Sequence, residues 1–415
     1  MNELPLSDLP LHDPRLYAAG FPHERFRWLR DNDPVSHHEH EAYAGGYWVV
    51  ARHADVQAVS RDAETWRNAP SPTVDVPPGS PPEATMDILI NLDGHGHTQM
   101  RKVVNRGFTP RRIAMLESLV RARVDAILDA LLDRDGADLV HDIAEILPLH
   151  VIADLVGVPE ADRAQVFAWT ERTFAFDPEA DATDRLTAAA EMFAYADGLS
   201  RERQAAPRDD LLSIVTHAEV DGHRLDQRQV AAFFMLLQNA GSETTRGVIA
   251  GGTVALLDNP EQFERLRADL SLLPTAVEEL VRHTTPVLYF SRQAARDTEV
   301  GGVAIREGER VLLSYASANR DERVFDDPDG VDLTRRPNEH VAFGAGGPHF
   351  CLGASLARLE LRVMFEAIAR RFEGLAVDGD PAGLPRLHSN LVGGFASVPI
   401  TWTSLKPKVA ASGSR

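Results

Sequence analysis

From His97 to roughly Leu257 apolar residues recur every three or four positions, as at Leu116, Leu119, Val120, Val124, Ile127 and Leu131, which predicts a run of helices. The longest lies over Val230 to Leu257 and is apolar nearly all round, the pattern of a central buried helix. The polar run Gln238-Asn-Ala-Gly-Ser-Glu-Thr-Thr-Arg246 interrupts it midway, which excludes a membrane span, and Asp258-Asn-Pro260 ends it. Ala206-Pro-Arg-Asp-Asp210 is a polar break between helices. Elsewhere the period shortens to strands. Tyr47-Trp-Val-Val50 is predicted to pair with Val35 to Glu41 through a Gly45-Gly46 turn. Val300 to Ile305, Glu307-Gly-Glu309 and Arg310 to Leu313 read as a second hairpin. Asn68 to Glu83, rich in proline and serine, is a long loop of the kind that often forms a lid. The expected fold is mainly α with small β-sheets. With no repeat and no clean linker, residues 1–405 are expected to form one domain, and 406–415 a disordered tail.

Composition narrows the function classes. A net charge of -19 argues against nucleic acid and anionic membrane as main partners. The start Met1-Asn-Glu-Leu-Pro-Leu-Ser-Asp8 resembles neither a signal peptide nor an anchor. Cys351 is the only cysteine, so no disulfide can close within the chain and a reducing cytoplasm is the expected compartment. His37-His38-Glu39-His40 carries metal-ligating types, but neighbours on a strand face opposite ways, so a solvated hairpin is expected there.

Cys351 sits in Phe343-Gly-Ala-Gly-Gly-Pro-His-Phe-Cys-Leu-Gly353, just before a helical run from Ala354 to Arg362. A lone thiolate can hold a haem iron from one side, and glycines allow close approach to a flat cofactor. Unpaired N–H groups at a helix N-terminus favour the thiolate. Most free cysteines are merely small buried hydrophobes, so the weight falls on the surrounding motifs. Mid-helix, Ala240-Gly-Ser-Glu243-Thr244-Thr245 is either a tolerated kink or a groove beside a cofactor, where an acid and a hydroxyl relay protons. Glu279 and Arg282 share a helical face, as do His97 and Arg101. With Arg292 and His349, the latter two supply cations that suit the two carboxylates of a haem.

Four motifs in order resemble the bacterial cytochrome P-450 family of haem-thiolate monooxygenases: Glu243-Thr244 on the long helix, Glu279 with Arg282, Arg292 entering a sheet, and the loop Phe343 to Gly353. The resemblance covers nearly the whole chain. It implies haem b, with Cys351 as iron ligand, Phe343 against the thiolate, Ala240 beside the ring, and His97, Arg101, Arg292 and His349 at the propionates. It implies proton delivery by Glu243 and Thr244, and a structural role for Glu279 and Arg282 near Arg335 or Arg336. The family loop places its phenylalanine one residue nearer the cysteine, because Ala345-Gly-Gly-Pro348 here holds one residue more. That longer loop, Arg101 to Pro110 and Ser314 to Arg320 are similar to an actinobacterial branch oxidising sterol side chains and methyl-branched lipids.

The implied reaction inserts one oxygen atom of O2 into a C–H bond of a steroid, terpenoid or fatty acyl substrate. Electrons would come from a separate ferredoxin and ferredoxin reductase. Lys102, Arg106, Arg111, Arg112, Arg358 and Arg362 would lie on the docking side, unless they are ordinary solvated helix faces. Family position and apolar character point to a pocket of Val74, Val76, Ile88, Leu89, Leu236, Asn239, Val287, Leu288 and Phe395, roofed by Phe174 and Phe176. Two rival readings are a biosynthetic oxidase of a secondary-metabolite scaffold or carrier-bound amino acid, and a haem-thiolate sensor without catalysis. An intact Glu243-Thr244 pair argues against the sensor.

Overall fold

A computed structural model describes residues 11–40, 43–74, 88–173, 182–220 and 222–407. Val76, Phe174, Phe176, most of the proline-rich loop and positions 408–415 lie outside them. Lys406, assigned to the tail, is tied down: its N–H donates to the Arg371 carbonyl at 2.8 Å.

The central helix runs unbroken from Gln227 to Asp258. Asp226 starts it with a reciprocal capping box, its carboxylate accepting from the Gln229 N–H at 2.8 Å while the Gln229 side chain accepts from the Asp226 N–H at 3.0 Å. Helices Ile146–Val156, Ala182–Ala205, Leu273–Thr284 and Ala354–Arg371 pack around it. Gly241 introduces no break. A Cβ there would meet Ile152 Cδ1 at 2.5 Å, so the glycine lets helix Ile146–Val156 approach closely. Ser242 and Thr244 donate to carbonyls four residues back, at 2.7 and 2.9 Å, so their hydroxyls are satisfied without interrupting the ladder.

The main sheet has five strands in the spatial order Val35–His40, Tyr43–Val50, Arg310–Ser314, Tyr289–Ala294 and Trp66–Arg67. Alternation splits it into two faces. Tyr47, Val49 and Leu312 pack on one side, and Val50, Val311 and Leu313 on the other. Arg292 is paired with Val311, which in turn faces Trp48.

Two strand expectations are corrected. Gly45 and Gly46 lie inside the second strand, opposite a register shift between His38 and His40. His38 is buried rather than solvated, held by Ser36 Oγ at 2.8 Å and stacked on Tyr47. No group of three or more metal-ligating side chains forms among the described residues. Val303–Ile305 folds back on Thr298–Val300, and Arg310–Ser314 pairs instead with Tyr289–Ala294 and, in parallel, with Tyr43–Val50. A strand buried at every residue must have both edges paired, and a two-stranded hairpin leaves one open.

Two consecutive glutamates on helix Leu273–Thr284 anchor it in different directions. Glu279, fully buried, takes a bidentate bond from Arg282 at 2.8 and 2.8 Å. It also accepts from Arg335 Nε at 3.0 Å, Asn338 Nδ2 at 3.1 Å and the Asp332 N–H at 3.0 Å. Arg282 donates onward to the carbonyls of Asn319, Pro328 and Gly330. Glu278 reaches the cysteine helix, binding Arg358 Nε at 2.6 Å and His340 Nε2 at 3.0 Å.

Burial pushes the Glu278 carboxyl up, but the bonds from Arg358 and His340 outweigh it and hold the group at about 2. A carboxylate depressed from 4.5 stabilises the fold above that value and loses the effect as pH falls towards 2. Glu278→Gln is therefore expected to destabilise the protein by about 2 kcal/mol near neutral pH, the linkage value discounted for partial exposure. The gap should close on acidification; urea melts of both proteins across pH check it, and a pH-independent gap would contradict the assignment.

Candidate active site

The loop Phe343 to Gly353 is closed by the Cys351 N–H donating to the Phe343 carbonyl at 2.8 Å. Its additional residue is accommodated against helix His53–Arg61, where Ser60 Oγ donates to the Gly346 carbonyl at 2.9 Å. Gly347, at φ +79°, lies so near that a Cβ would meet the Ser60 carbonyl at 2.2 Å. Phe343 lines the cavity with Cys351, and the Arg358 guanidinium covers the Phe343 ring at 4.4 Å. Cys351 precedes helix Ala354–Arg371 as expected. Burial nevertheless pushes its thiol up, against the smaller pull of the Gly353 and Ala354 N–H groups and of Arg101 and Arg358. A thiolate here therefore calls for a further cation directly at the sulfur.

Cys351 opens on a cavity of about 230 Å³ beneath the central helix. His97 and Arg101 on helix Gly94–Asn105 line it together with His349. The His97 and His349 rings are 4.2 Å apart, and the buried His97 Nε2 has no hydrogen-bond partner. Burial, then the neighbouring His349 and Arg101, push His97 down to about 4. Burial likewise lowers His349, against Asp93 at 3.5 Å and with Arg292 and Arg101 adding to the fall. Asp93 is already engaged by the N–H groups of Asn68 and Ala69. Arg101 Nη2 donates to the Phe350 carbonyl at 2.6 Å, and Arg292 Nη1 to its neighbour Ser291 at 2.8 Å. Three basic groups, His97, Arg101 and His349, line one end of this mostly apolar cavity, whereas Arg292 lies outside the lining, near enough to His349 for its charge to be felt there. The two carboxylates of a haem, and a planar apolar body below the central helix, fit that donor set.

Glu243 and Thr244 diverge. Thr244 lines the cavity, its hydroxyl bonded to the Ala240 carbonyl. Glu243 turns behind the helix to Arg246 Nη2 at 2.5 Å, and Arg246 reaches Glu145 at 3.7 Å. His141 stands 3.2 Å from Glu145. Burial raises the Glu243 carboxyl despite Arg246, with Glu145 and Glu171 adding to the rise.

Of the residues expected around a substrate, Leu89, Leu236, Ala240 and Val287 line this cavity. Ile88 and Asn239 do not. Val74 packs in the core under the sheet. Leu288 and Phe395 line a second cavity further along the central helix, because the Val287↔Val392 bridge turns alternate residues away from Cys351. Residues not anticipated include Phe108, Ile152, Phe233, Phe290, Tyr315 and Glu360. Glu360 left a signal, an acid on the apolar face of the cysteine helix; it is buried, its Oε2 is unpartnered, and burial raises it well above the usual carboxylate range. The others come from separate segments that only folding brings together.

Comparison with known proteins agrees with this geometry. The Cytochrome P450 family profile matches residues 149–386. A steroid C26-monooxygenase of Mycolicibacterium smegmatis is 36% identical, over 98% of this chain and 96% of that protein. A methyl-branched lipid omega-hydroxylase of Mycobacterium tuberculosis is 38% identical, over 97% of this chain and 96% of that protein. The solved structure of Mycobacterium marinum cytochrome P450 CYP268A2 in complex with pseudoionone superposes with a TM-score of 0.87 at 37% identity, covering 93% of this chain and 97% of that one. With this extent of similarity in sequence and backbone, the chain belongs to the cytochrome P450 family and is a haem- and dioxygen-using monooxygenase of hydrophobic compounds.

Proposed function

We propose that the chain hydroxylates a steroid or methyl-branched lipid, in the cytoplasm, with haem b held by Cys351 and electrons from a ferredoxin and its reductase. The observation that carries the substrate class is the wall of the cavity, built from Leu89, Phe108, Phe233, Leu236, Val287 and Phe290. Such a wall stabilises an apolar body by desolvation and offers little to a polar one. The similarity to a steroid monooxygenase and a branched-lipid hydroxylase supports the same class.

The haem, when bound, supplies dioxygen binding and activation. The remaining steps belong to the chain's own groups. His97, Arg101 and His349, with Arg292 behind them, would hold the propionates of a bound haem and so orient it. The apolar wall places the substrate and excludes water. Thr244 Oγ, exposed to the cavity, keeps a proton-bearing water at the reacting face. Glu243 brings protons from the far side of the helix; its raised carboxyl picks them up readily, and rotation off Arg246 lets it deliver them. Glu145 and His141 extend that path outward.

The basic docking side is smaller than the sequence suggests. Arg112 is paired with Asp209 at 2.6 Å, Arg358 with Glu278 at 2.6 Å, and Arg362 with Glu117 at 3.0 Å. Lys102, Arg106 and Arg111 remain exposed and carry the positive field offered to an acidic ferredoxin.

Three measurements test this reading. Titrating the holoprotein with sterols, branched lipids and carrier-bound acyl or aminoacyl groups should give a saturable low-spin to high-spin shift with the lipids; a shift confined to carrier-bound ligands would place the enzyme in scaffold biosynthesis instead. Thr244→Ala should retain haem and substrate binding yet cut product per reductant by about tenfold or more, with hydrogen peroxide released in its place; unchanged coupling removes Thr244 from proton delivery. Arg111→Glu should slow stopped-flow reduction by ferredoxin about tenfold at low salt and less at high salt, with Arg112→Glu affecting it less. Equal rates for all three proteins at low salt would exclude this docking face.

A further inference from the structure

A second cavity, of about 220 Å³, lies further along the central helix, towards its C-terminal end. Thr244 lines the first cavity, and Gly247 and Gly251, one and two turns further on along the same face, line the second. Four basic side chains from four separate segments surround it: His23, His283, Arg320 and Arg386.

Their hydrogen bonding leaves donors without acceptors. Arg320 is buried and largely satisfied, donating to the Pro328 and His283 carbonyls at 3.0 and 3.1 Å and from Nη1 to His283 Nδ1 at 3.2 Å. A guanidinium has only donors, so Nδ1 must accept, and the His283 proton resides on Nε2. Arg320 is offset in part by exposed Asp329, 3.4 Å from its Nε, a carboxylate outside the lining of the cavity. Arg386 is half-buried and has no hydrogen bond or ion pair among the described residues; its guanidinium rests on the Phe395 ring at 4.4 Å and against the backbone of Gly20. His23 Nδ1 is buried and unpartnered. Asp258 is the one acid in the lining and lies at the exposed rim. Burial alone raises its carboxyl, so no arginine is near enough to pair with it. Burial, and then Arg320, push His23 down to about 3 and His283 down to about 2, as expected of a space with a positive field and no counter-charge.

We propose that this second cavity binds a small oxyanion, a carboxylate or phosphate, between Arg386, His23 and His283. A partly enclosed volume of this size holds such a group and little more, and a bound anion would satisfy the donors that the chain itself leaves open. The anion is either free in solution or the head of a longer amphiphile. The central helix is the shared wall, so occupancy would stiffen the turn that follows Thr244.

The test is thermal melting of the haem-loaded protein against inorganic phosphate and acetate at constant ionic strength. A saturable rise in Tm is expected for the parent protein and for the exposed-arginine control Arg185→Gln. Arg386→Gln and His23→Gln should each weaken the apparent affinity about tenfold, the equivalent of one charge-assisted hydrogen bond. General salt exclusion stabilises every variant alike, so equal curves for parent and Arg386→Gln would overturn the proposal, as would the absence of any saturable rise. A matched series of acetate, butyrate and hexanoate separates the two sources: affinity independent of length identifies a free anion, and affinity rising with length identifies the head of an amphiphile.

Discussion

Glu279 and Arg282 form a bidentate pair with no solvent exposure, and the positioning of the active site depends on it. Burying two charges costs several kcal/mol each, which only dense hydrogen bonding offsets. Here the carboxylate accepts from two arginines, an asparagine and a backbone N–H, while Arg282 collects three carbonyls from the 319–330 stretch. Every one of those partners is placed by the same knot. The chain that follows leads directly into the loop of Cys351. Glu278, one residue away, fixes the other end through Arg358, whose guanidinium covers Phe343 in that loop. The sulfur is thus positioned by charge pairs on both sides rather than by loop packing alone.

The cavity above it is organised by an imbalance. Its walls are apolar, its end is basic, and an acid sits just behind the helix that roofs it. Low dielectric magnifies each of these. It depresses His97 and His349, raises Cys351, and raises Glu243 despite a nearby arginine. All four shifts run against the charged form, because burial is the largest cause of each. The second cavity repeats the theme on a smaller scale, with the Arg386 guanidinium and His23 Nδ1 left without an acceptor among the described residues.

The central helix links these regions through small residues. Gly241 admits Ile152, and Gly247 and Gly251 open the second cavity. Hydroxyls at Ser242 and Thr244 are bonded to their own helix, so the polar run that interrupts the apolar pattern leaves the helix continuous. What looked like a weak point in the sequence is a surface of close contact.

Much of this was legible in the chain. The period of three and four located the helices, and the central helix begins and ends within a few residues of the pattern that predicted it. The Phe343 to Gly353 loop, Glu243-Thr244, Glu279 with Arg282, and Arg292 carry the family resemblance, because these are local signals in consecutive or helically spaced residues. The pairing of Val35–His40 with Tyr43–Val50 is legible in the sequence, whereas the partners of Arg310–Ser314 are not, since one of them, Tyr43–Val50, lies more than half the chain away and such pairing leaves no local trace. Glu243 and Thr244 are adjacent, yet the helix turn separates them by about 100° and sends one to the cavity and the other to Arg246. Leu288 and Val287 part in the same way across a strand. The sequence by itself determined which elements form and which residue types could carry the chemistry, because periodicity and spacing are properties of the chain. Only the tertiary structure decided which side of each element faces Cys351, which arginines are already neutralised, and where donors are left without acceptors, because those depend on segments meeting across the fold.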